Sequence, residues 1–407
     1  MKPKALIATT SRWVPTARLA MALSQAGFLV DAVCPARHPL GKIRALRQAY
    51  AYRGLTPLSS FAHAIAAAEP DVIVPGDDLA TLHLQRLHQR EGNQSELGKL
   101  IERSLGMAES FPTLYERTAF MELAETAGVR VPKTEVIGNS AGLKKWVARV
   151  GLPTVLKANG TSGGDGVRIV RTLEEAERAF RSLAAPPLLR RVLKRAVVDR
   201  DRTLLWPWLL RRRSVVNAQE FVAGREATSA VACWKGRVLA SLHFEVVHKR
   251  DSAGPSSVVR VIENAEMSAA SEEMVGRLGL SGLHGFDFMV ESHTGSAYLI
   301  EINPRATQVG HLTLGPGRDL PAALYAAVSG DAVQAAPRVT ENDTIALFPQ
   351  EWMRDPESPF LKSAFHDVPW EEPELLQACL RLRRKPRVGR SQPEPVQTFS
   401  PVRLPRL

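Results

Sequence analysis

Two carboxylates and an amide in Ser281–Arg305, SGLHGFDFMVESHTGSAYLIEINPR, are spaced to meet on one side of a β-hairpin. Leu283–Glu291 and Ala297–Asn303 are β-prone runs joined by Ser292-His293-Thr294-Gly295-Ser296. With the hairpin centred on Thr294, Asp287 falls opposite Glu301. Side chains alternate with period two, so Asp287, Glu301 and Asn303 share one face. Phe286, Phe288, Ile300 and Ile302 then share the other. Directly opposed side chains sit roughly 4.5–5.5 Å apart at Cβ, where like charges repel. A bound cation would relieve that repulsion, and an all-oxygen set suits Mg²⁺ or Mn²⁺ better than zinc. The residues alone leave a second reading open, a hairpin with a solvated polar face.

A second group of residues could hold an anion. Asn159-Gly160-Thr161-Ser162-Gly163-Gly164-Asp165-Gly166 lies between two predicted strands. Gly163, Gly164 and Gly166 let backbone N–H groups approach a ligand, and such a nest favours phosphate. A plain hairpin turn reads equally well. A Walker A loop is excluded, because no G-K-[ST] opens a helix here. Lys157 ends the preceding strand, where it could reach a phosphate or simply sit at a strand end. Further on, Asn217–Glu226 (NAQEFVAGRE) connects two β runs. The backbone at Phe221 and Val222 could bond a purine edge, and Glu226 could accept from ribose hydroxyls or be merely solvated.

The elements that must position these residues alternate. Lys4–Ala8, Phe28–Cys34 and Asp71–Pro75 read as strands, with Pro15–Gln25 and Ser60–Ala68 helical between them. That predicts a small parallel α/β domain. The loop Thr9-Thr10-Ser11-Arg12-Trp13 holds no glycine, so a dinucleotide fingerprint is excluded. Helices are predicted over Glu116–Thr126, Ala141–Val150, Leu173–Leu183, Glu266–Leu278 and Asp319–Ser329. Strands are predicted near Pro132–Ile137, over Pro153–Ala158 and Val167–Val170, and through most of 215–264. Beyond about 340 the signals weaken, and the proline-rich tail from about 386 reads as poorly ordered.

Together these pieces resemble the ATP-grasp superfamily from about Arg117 to Arg305, with the first domain similar to the one that precedes it. The order matches: a basic residue opening a helix, a strand Lys, a Gly-rich loop, an E-[FY]-[VIL]-x-G-x-E hinge, a strand Asp, then E-x-N-x-R. The resemblance implies an α/β fold with an α+β lid, preceded by a small parallel α/β domain. The implied domains are 1–112, then 113–335 with a lid over about 140–222, then an extension over 336–407. It implies ATP and Mg²⁺ (or Mn²⁺) as cofactors. Arg117 and Lys157 would bind the ATP phosphates, with Lys157 also near the adenine, and Ser162, Gly163, Gly164 and Gly166 would close over the phosphates. Glu220, with the backbone of Phe221 and Val222, would meet the adenine, and Glu226 the ribose. Asp287, Glu301 and Asn303 would hold the metal, and Arg305 would stabilise the transferring phosphoryl group. Many members carry Lys where Arg117 stands; Arg still offers a bidentate phosphate donor. The Glu301–Arg305 pattern is more similar to the carboxylase and carbamoyl-phosphate-synthase branch than to the D-alanine ligase branch.

The implied activity is ligation of a carboxylate to an amine (or thiol) through an acyl phosphate, releasing ADP and phosphate. Bicarbonate activation is the alternative within the family, weakened because no biotin-carrier segment is visible. A non-catalytic ATP-binding regulatory protein is the alternative outside it, and the intact metal set and Arg305 argue against that. The resemblance allows His243, His248, Lys249, Arg250 and the loop Asp251–Ser257 to face the acceptor, but each reads first as an ordinary solvated residue. His284 reads as a cap or a packing residue.

Composition bounds the partners. The chain has 407 residues, 44% hydrophobic and 23% charged, as in soluble globular proteins. Cys34, Cys233 and Cys379 are too few and too scattered for a disulfide framework or zinc site, which fits the cytoplasm. The net charge of +11 is concentrated in 183–213 and 381–407, so the body is no basic nucleic-acid binder. The insertion 183–213 interleaves arginines with Trp206 and Trp208. It reads as a helical elaboration of the lid in preference to a segment contacting anionic lipid. The expected partners are small carboxylate and amine substrates, with a homodimer left open.

Overall fold

A computed structural model of the protein describes residues 2–159, 166–186, 214–251, 254–332 and 336–383. Ser162, Gly163 and Gly164, most of the basic insertion and the proline-rich tail lie outside the described residues.

The chain opens with β1 (Lys4–Ala8), α1 (Val14–Gln25), β2 (Leu29–Cys34), β3 (Leu46–Ala51), α2 (Pro57–Ala68), β4 (Val72–Pro75), α3 (Asp78–Glu91) and α4 (Glu96–Leu105). The four strands form a parallel sheet in the order β3-β2-β1-β4. Helices cover both faces, so β1 is apolar and buried throughout Ala5–Ala8. The glycine-free loop after β1 is shaped by a carboxylate. Asp77 accepts from Thr9 Oγ1 at 2.7 Å, Thr10 N at 2.6 Å and Ser11 N at 3.1 Å. Its other oxygen caps α3 through Ala80 N at 2.9 Å.

A second unit begins with α5 (Arg117–Thr126) and the lid: β5 (Thr134–Ile137), α6 (Ser140–Val150), β6 (Thr154–Ala158), β7 (Val167–Val170), α7 (Leu173–Ala184) and β8 (Val216–Glu220). The lid sheet is antiparallel, ordered β5-β8-β6-β7. One face buries Leu156, Ala158, Val170, Val216 and Ala218 against Leu143, Trp146 and Phe180 of the helices. The other face carries Val136, Val155, Lys157, Ile169 and Asn217, as their cross-strand pairing requires.

The third sheet has seven strands in the order β13-β12-β9-β10-β11-β14-β15. They are β9 (Gly224–Trp234), β10 (Arg237–Lys249), β11 (Ser256–Val261), β12 (Gly282–Glu291), β13 (Ala297–Asn303), β14 (Thr344–Leu347) and β15 (Phe365–Asp367). Helix α8 (Ala265–Leu278) packs on one face over Phe286, Phe288 and Leu299. The first domain and α9 (Leu320–Ser329) pack on the other, where Ala230, Leu242 and Phe244 join a core with Ala5 and Ile7.

Described residues from 344 to 383 are integral to this sheet. β14 extends β11, β15 runs parallel to β14, and α10 (Gln350–Arg354), α11 (Phe360–Ser363) and α12 (Pro373–Arg383) follow the turns between them. Leu375 and Cys379 enter the first domain's core. Asp367 pairs with both Arg18 of α1 and His311, the latter at 2.6 Å. The three- and four-residue strands explain the weak sequence signal. Among the described residues no helix is long and apolar enough to cross a membrane.

Candidate active site

The hairpin of β12 and β13 places Asp287 opposite Glu301 and Gly285 opposite Asn303. The register slips by one residue beyond Asp287, where Phe288 pairs with Leu299 and leaves Ile300 as a bulge. This corrects the expected apolar face. Leu299, fully buried, stands in the core with Phe286, Phe288 and Ile302, while Ile300 is half-exposed. The bulge turns the end of β13 without breaking the facing of the two carboxylates.

Asn303 Nδ2 donates to Asp287 Oδ2 at 3.0 Å. Burial, and then the neighbouring Glu301 carboxylate, push the Asp287 carboxyl from 3.8 up to about 6. Hydrogen bonds from Asn303 and Thr228, which lies across from Asp287 on β9, act against that rise. Glu301 accepts from Arg117 Nη2 at 3.0 Å, so the first residue of α5 reaches the hairpin. Lys157 comes from the lid and is 5% exposed. Its ammonium is lowered from 10.5 to about 8 by burial and then by Arg117, against Glu301, Asp287 and Glu226. Three structural units thus bring Arg117, Lys157, Asp287, Glu301 and Asn303 into one cluster.

Other predicted residues stand around it. Glu226 on β9 shares the Asp287 face and is held by Lys249 Nζ at 2.6 Å. Glu220 ends β8 and accepts from Lys133 N at 3.3 Å. Phe221 and Val222 form the connection to β9, where Gly224 is required: a Cβ there would lie 2.2 Å from the Val290 carbonyl oxygen. The Gly166 carbonyl accepts from Ala158 N at 2.9 Å, closing the base of the Gly-rich loop beside Lys157. On the Lys157 face of the lid, Val136 and Ile169 are exposed among the described residues, an apolar surface.

His243 does not face this cleft. It shares the opposite sheet face with Ser229, whose Oγ lies 2.7 Å from Nδ1, and its Nε2 is 2.9 Å from Ser268 Oγ of α8. Strand alternation decides this, since Thr228 and Ser229 point to opposite sides. His248 packs on Phe360, 5.1 Å between ring centroids. Arg250 lies 3.6 Å from Asp251. His284 is buried and bonds the Ser281 carbonyl at 2.8 Å.

Four residues to which the sequence reading gave no part in the site join it. Besides Thr228 there is Asn217, opposite Lys157 in the lid; it accepts from Thr118 Oγ1 at 2.9 Å and donates to Asn159 Oδ1 at 2.7 Å. Asp78 accepts from Arg305 Nε at 3.1 Å, and the Trp13 ring lies 5.7 Å from the Arg305 guanidinium carbon. Only the Asp77-Asp78 pair left a mark in the sequence, as a helix-start signal.

Among the described residues no group of three or more His, Cys, Asp or Glu side chains is placed to hold an ion. The donor set of two opposed carboxylates and an amide nevertheless fits a hard divalent cation. An Asp287 carboxyl destabilised by Glu301 is the electrostatic condition that such a cation relieves.

Residues 116–189 match the carbamoyl-phosphate synthase L chain ATP-binding domain, and residues 209–309 match an ATP-grasp domain. The chain is 23% identical over 232 residues to the carbamoyl phosphate synthase large chain of Pasteurella multocida, a match covering 56% of this chain. It is 31% identical over 133 residues, 32% of this chain, to phosphoribosylamine–glycine ligase of Ralstonia nicotianae. The matches span only 20% and 26% of those relatives' own lengths. Among solved structures it is similar to the biotin carboxylase domain of Hydrogenobacter thermophilus 2-oxoglutarate carboxylase, solved with MgADP, ADP and bicarbonate. The TM-score is 0.59 at 15% identity, covering 83% of this chain and 72% of that one. Carboxyaminoimidazole ribonucleotide synthase of Aspergillus clavatus, solved with ATP, gives a TM-score of 0.57 at 14% identity over 81% and 78%. At these identities the structural likeness shows the fold.

Proposed function

We propose, on the premise that this chain belongs to the ATP-grasp superfamily, that it is an ATP- and Mg²⁺-dependent ligase joining a carboxylate to an amine or thiol. The observation that carries the reading is the facing of Asp287 and Glu301 with Arg117 and Lys157 brought against them from α5 and the lid.

Asp287, Glu301 and Asn303 would hold Mg²⁺, which when bound neutralises charge on phosphate oxygens. Lys157 and Arg117 would bind the triphosphate, with Ser162, Gly163, Gly164 and Gly166 over it. The adenine would lie on the exposed Val136 and Ile169 face, its edge against Glu220 and the Phe221–Val222 backbone, and Glu226 would take the ribose. An amine displaces the oxygen of a carboxylate only after that oxygen has been made a better leaving group than hydroxide or oxide. Attack on the γ-phosphoryl group makes an acyl phosphate and releases ADP; the amine then displaces phosphate. No nucleophilic side chain is needed. Arg305 would stabilise charge spreading over the phosphoryl oxygens.

Bicarbonate as the activated acid is the second reading, favoured by the likeness to carbamoyl phosphate synthase and to a biotin carboxylase domain. One assay separates these. ADP release is measured against bicarbonate and against pooled carboxylic acids, amino acids and amines, with mass detection of products. ADP and phosphate in equal amounts, and a hydroxamate on adding hydroxylamine, are expected. AMP and pyrophosphate as main products would overturn the mechanism.

A further inference from the structure

We infer that Asp78 and Trp13 are positioning residues for Arg305, so that the first domain forms one wall of the phosphoryl-transfer end of the site. The inference rests on the proposed function and concerns residues that neither the hairpin nor the lid supplies.

Arg305 follows the hairpin and is 17% exposed at its side chain. Its Nε donates to Asp78 Oδ1 at 3.1 Å, Nη1 to the Ala306 carbonyl at 3.2 Å and Nη2 to Asn303 Oδ1 at 3.1 Å. A guanidinium has five N–H donors. Among the described residues one N–H on Nη1 and one on Nη2 therefore remain uncommitted. Two free donors on one guanidinium leave Arg305 able to meet an oxyanion. Asp78 fixes Nε, and Trp13 supports the flat face.

The anchor is itself held. Asp78 is the first residue of α3, and its carbonyl accepts from Tyr115 Oη at 3.2 Å. Thr81 Oγ1 donates to the Pro304 carbonyl at 2.8 Å, and Ala306 N donates to the Pro75 carbonyl at 3.1 Å. The first domain thus grips the chain on both sides of Arg305. Trp13 lies in the loop that Asp77 pins. These loops leave the carboxyl ends of β1 and β4, where the strand order of the parallel sheet reverses and open sheets of this kind bind ligands. A hydrogen-bonded run leads from there through Arg305 and Asn303 to Asp287.

The test uses the full chain with MgADP and aluminium fluoride, a mimic of the transferring phosphoryl group, followed by calorimetry. Aluminium fluoride is expected to tighten MgADP binding to the wild type. Asp78→Asn should leave the affinity for MgADP alone within about twofold and cut the tightening roughly tenfold, as for loss of a hydrogen bond to a charged group. Asp78→Glu should restore it, and in an Arg305→Lys background Asp78→Asn should add nothing. Trp13→Leu, which leaves α3 untouched, should also reduce the tightening and carries the test if Asp78→Asn does not fold. Full tightening in Asp78→Asn and Trp13→Leu, or an additive loss in the Arg305→Lys background, would overturn the inference. So would wild-type binding of MgADP that aluminium fluoride leaves unchanged. A wild type that binds no MgADP would instead sink the proposed function.

Discussion

Replacing Asp287 by Asn is expected to stabilise the metal-free protein above about pH 6 and to remove its stabilisation by Mg²⁺. The carboxyl stands at about 6 in the folded protein against an ordinary 3.8, chiefly through burial and then Glu301. Below the ordinary value it is protonated both folded and unfolded and contributes nothing. As pH rises, the unfolded chain releases its proton first, so the folded state loses stability until the folded group also ionises near 6. The difference corresponds to about 3 kcal/mol. Asp287 is only half-buried, and solvent on the open side of the cleft brings the expected gain from Asn to about 1–2 kcal/mol. Urea unfolding in a chelator, at about pH 8 and about pH 4.5, measures it: the variant should show its full gain at the higher pH and only about a third of it at the lower. Mg²⁺ should then raise the wild-type midpoint and leave the variant's in place. A variant less stable than the wild type at both pH values, or equally stabilised by Mg²⁺, would refute the electrostatic account of the pair.

Lys157→Met should weaken ATP binding roughly 10- to 100-fold by calorimetry, as for a lost charge-assisted contact, and unchanged affinity would remove the lysine from the phosphates. Gly285→Ala would set a Cβ 2.3 Å from Thr307 Cγ2, so the Thr307 side chain, in the turn behind Arg305, must rotate or shift. ADP production should fall at least about tenfold while stability drops by about 1–3 kcal/mol, and normal turnover would show that the turn's position is unimportant. Asp367→Asn removes the buried carboxylate that Arg18 and His311 share and leaves the Arg18 charge unpaired there. About 3 kcal/mol of stability should be lost in urea unfolding, and an unshifted midpoint would show that the junction is not a clamp.

The carboxylate pair was legible because Asp287 and Glu301 are equidistant from Thr294 and a strand's period is two. The bulge was not. Tyr298-Leu299-Ile300 is apolar in either phase, so nothing in the residue types marks Ile300 as the extra one. The same limit applied to His243: the face of a β10 residue depends on its partner in β9, and only the register fixes it. Asp78, Trp13 and Asn217 escaped for a different reason. Each meets its partner from a separate element, and Asp78 stands 227 residues from Arg305. Local pattern carries no information about such a meeting. The α3 helix itself was open to reading through its Asp77 cap, but its mixed polar composition obscures the periodicity.

The lid has a hydrophobic core of its own, Ile137 to Ala218, separate from those beneath the large sheet. Lys157 travels with that body while Asp287 and Glu301 stay with the other. Opening would separate the ammonium from the carboxylates and admit water to all three at once. A nucleotide spanning the gap acts as an adhesive between two rigid pieces, and its measured affinity contains the free energy of bringing them together. Under the proposed function, release of ADP would require those pieces to part, a motion of the kind that limits turnover in many enzymes.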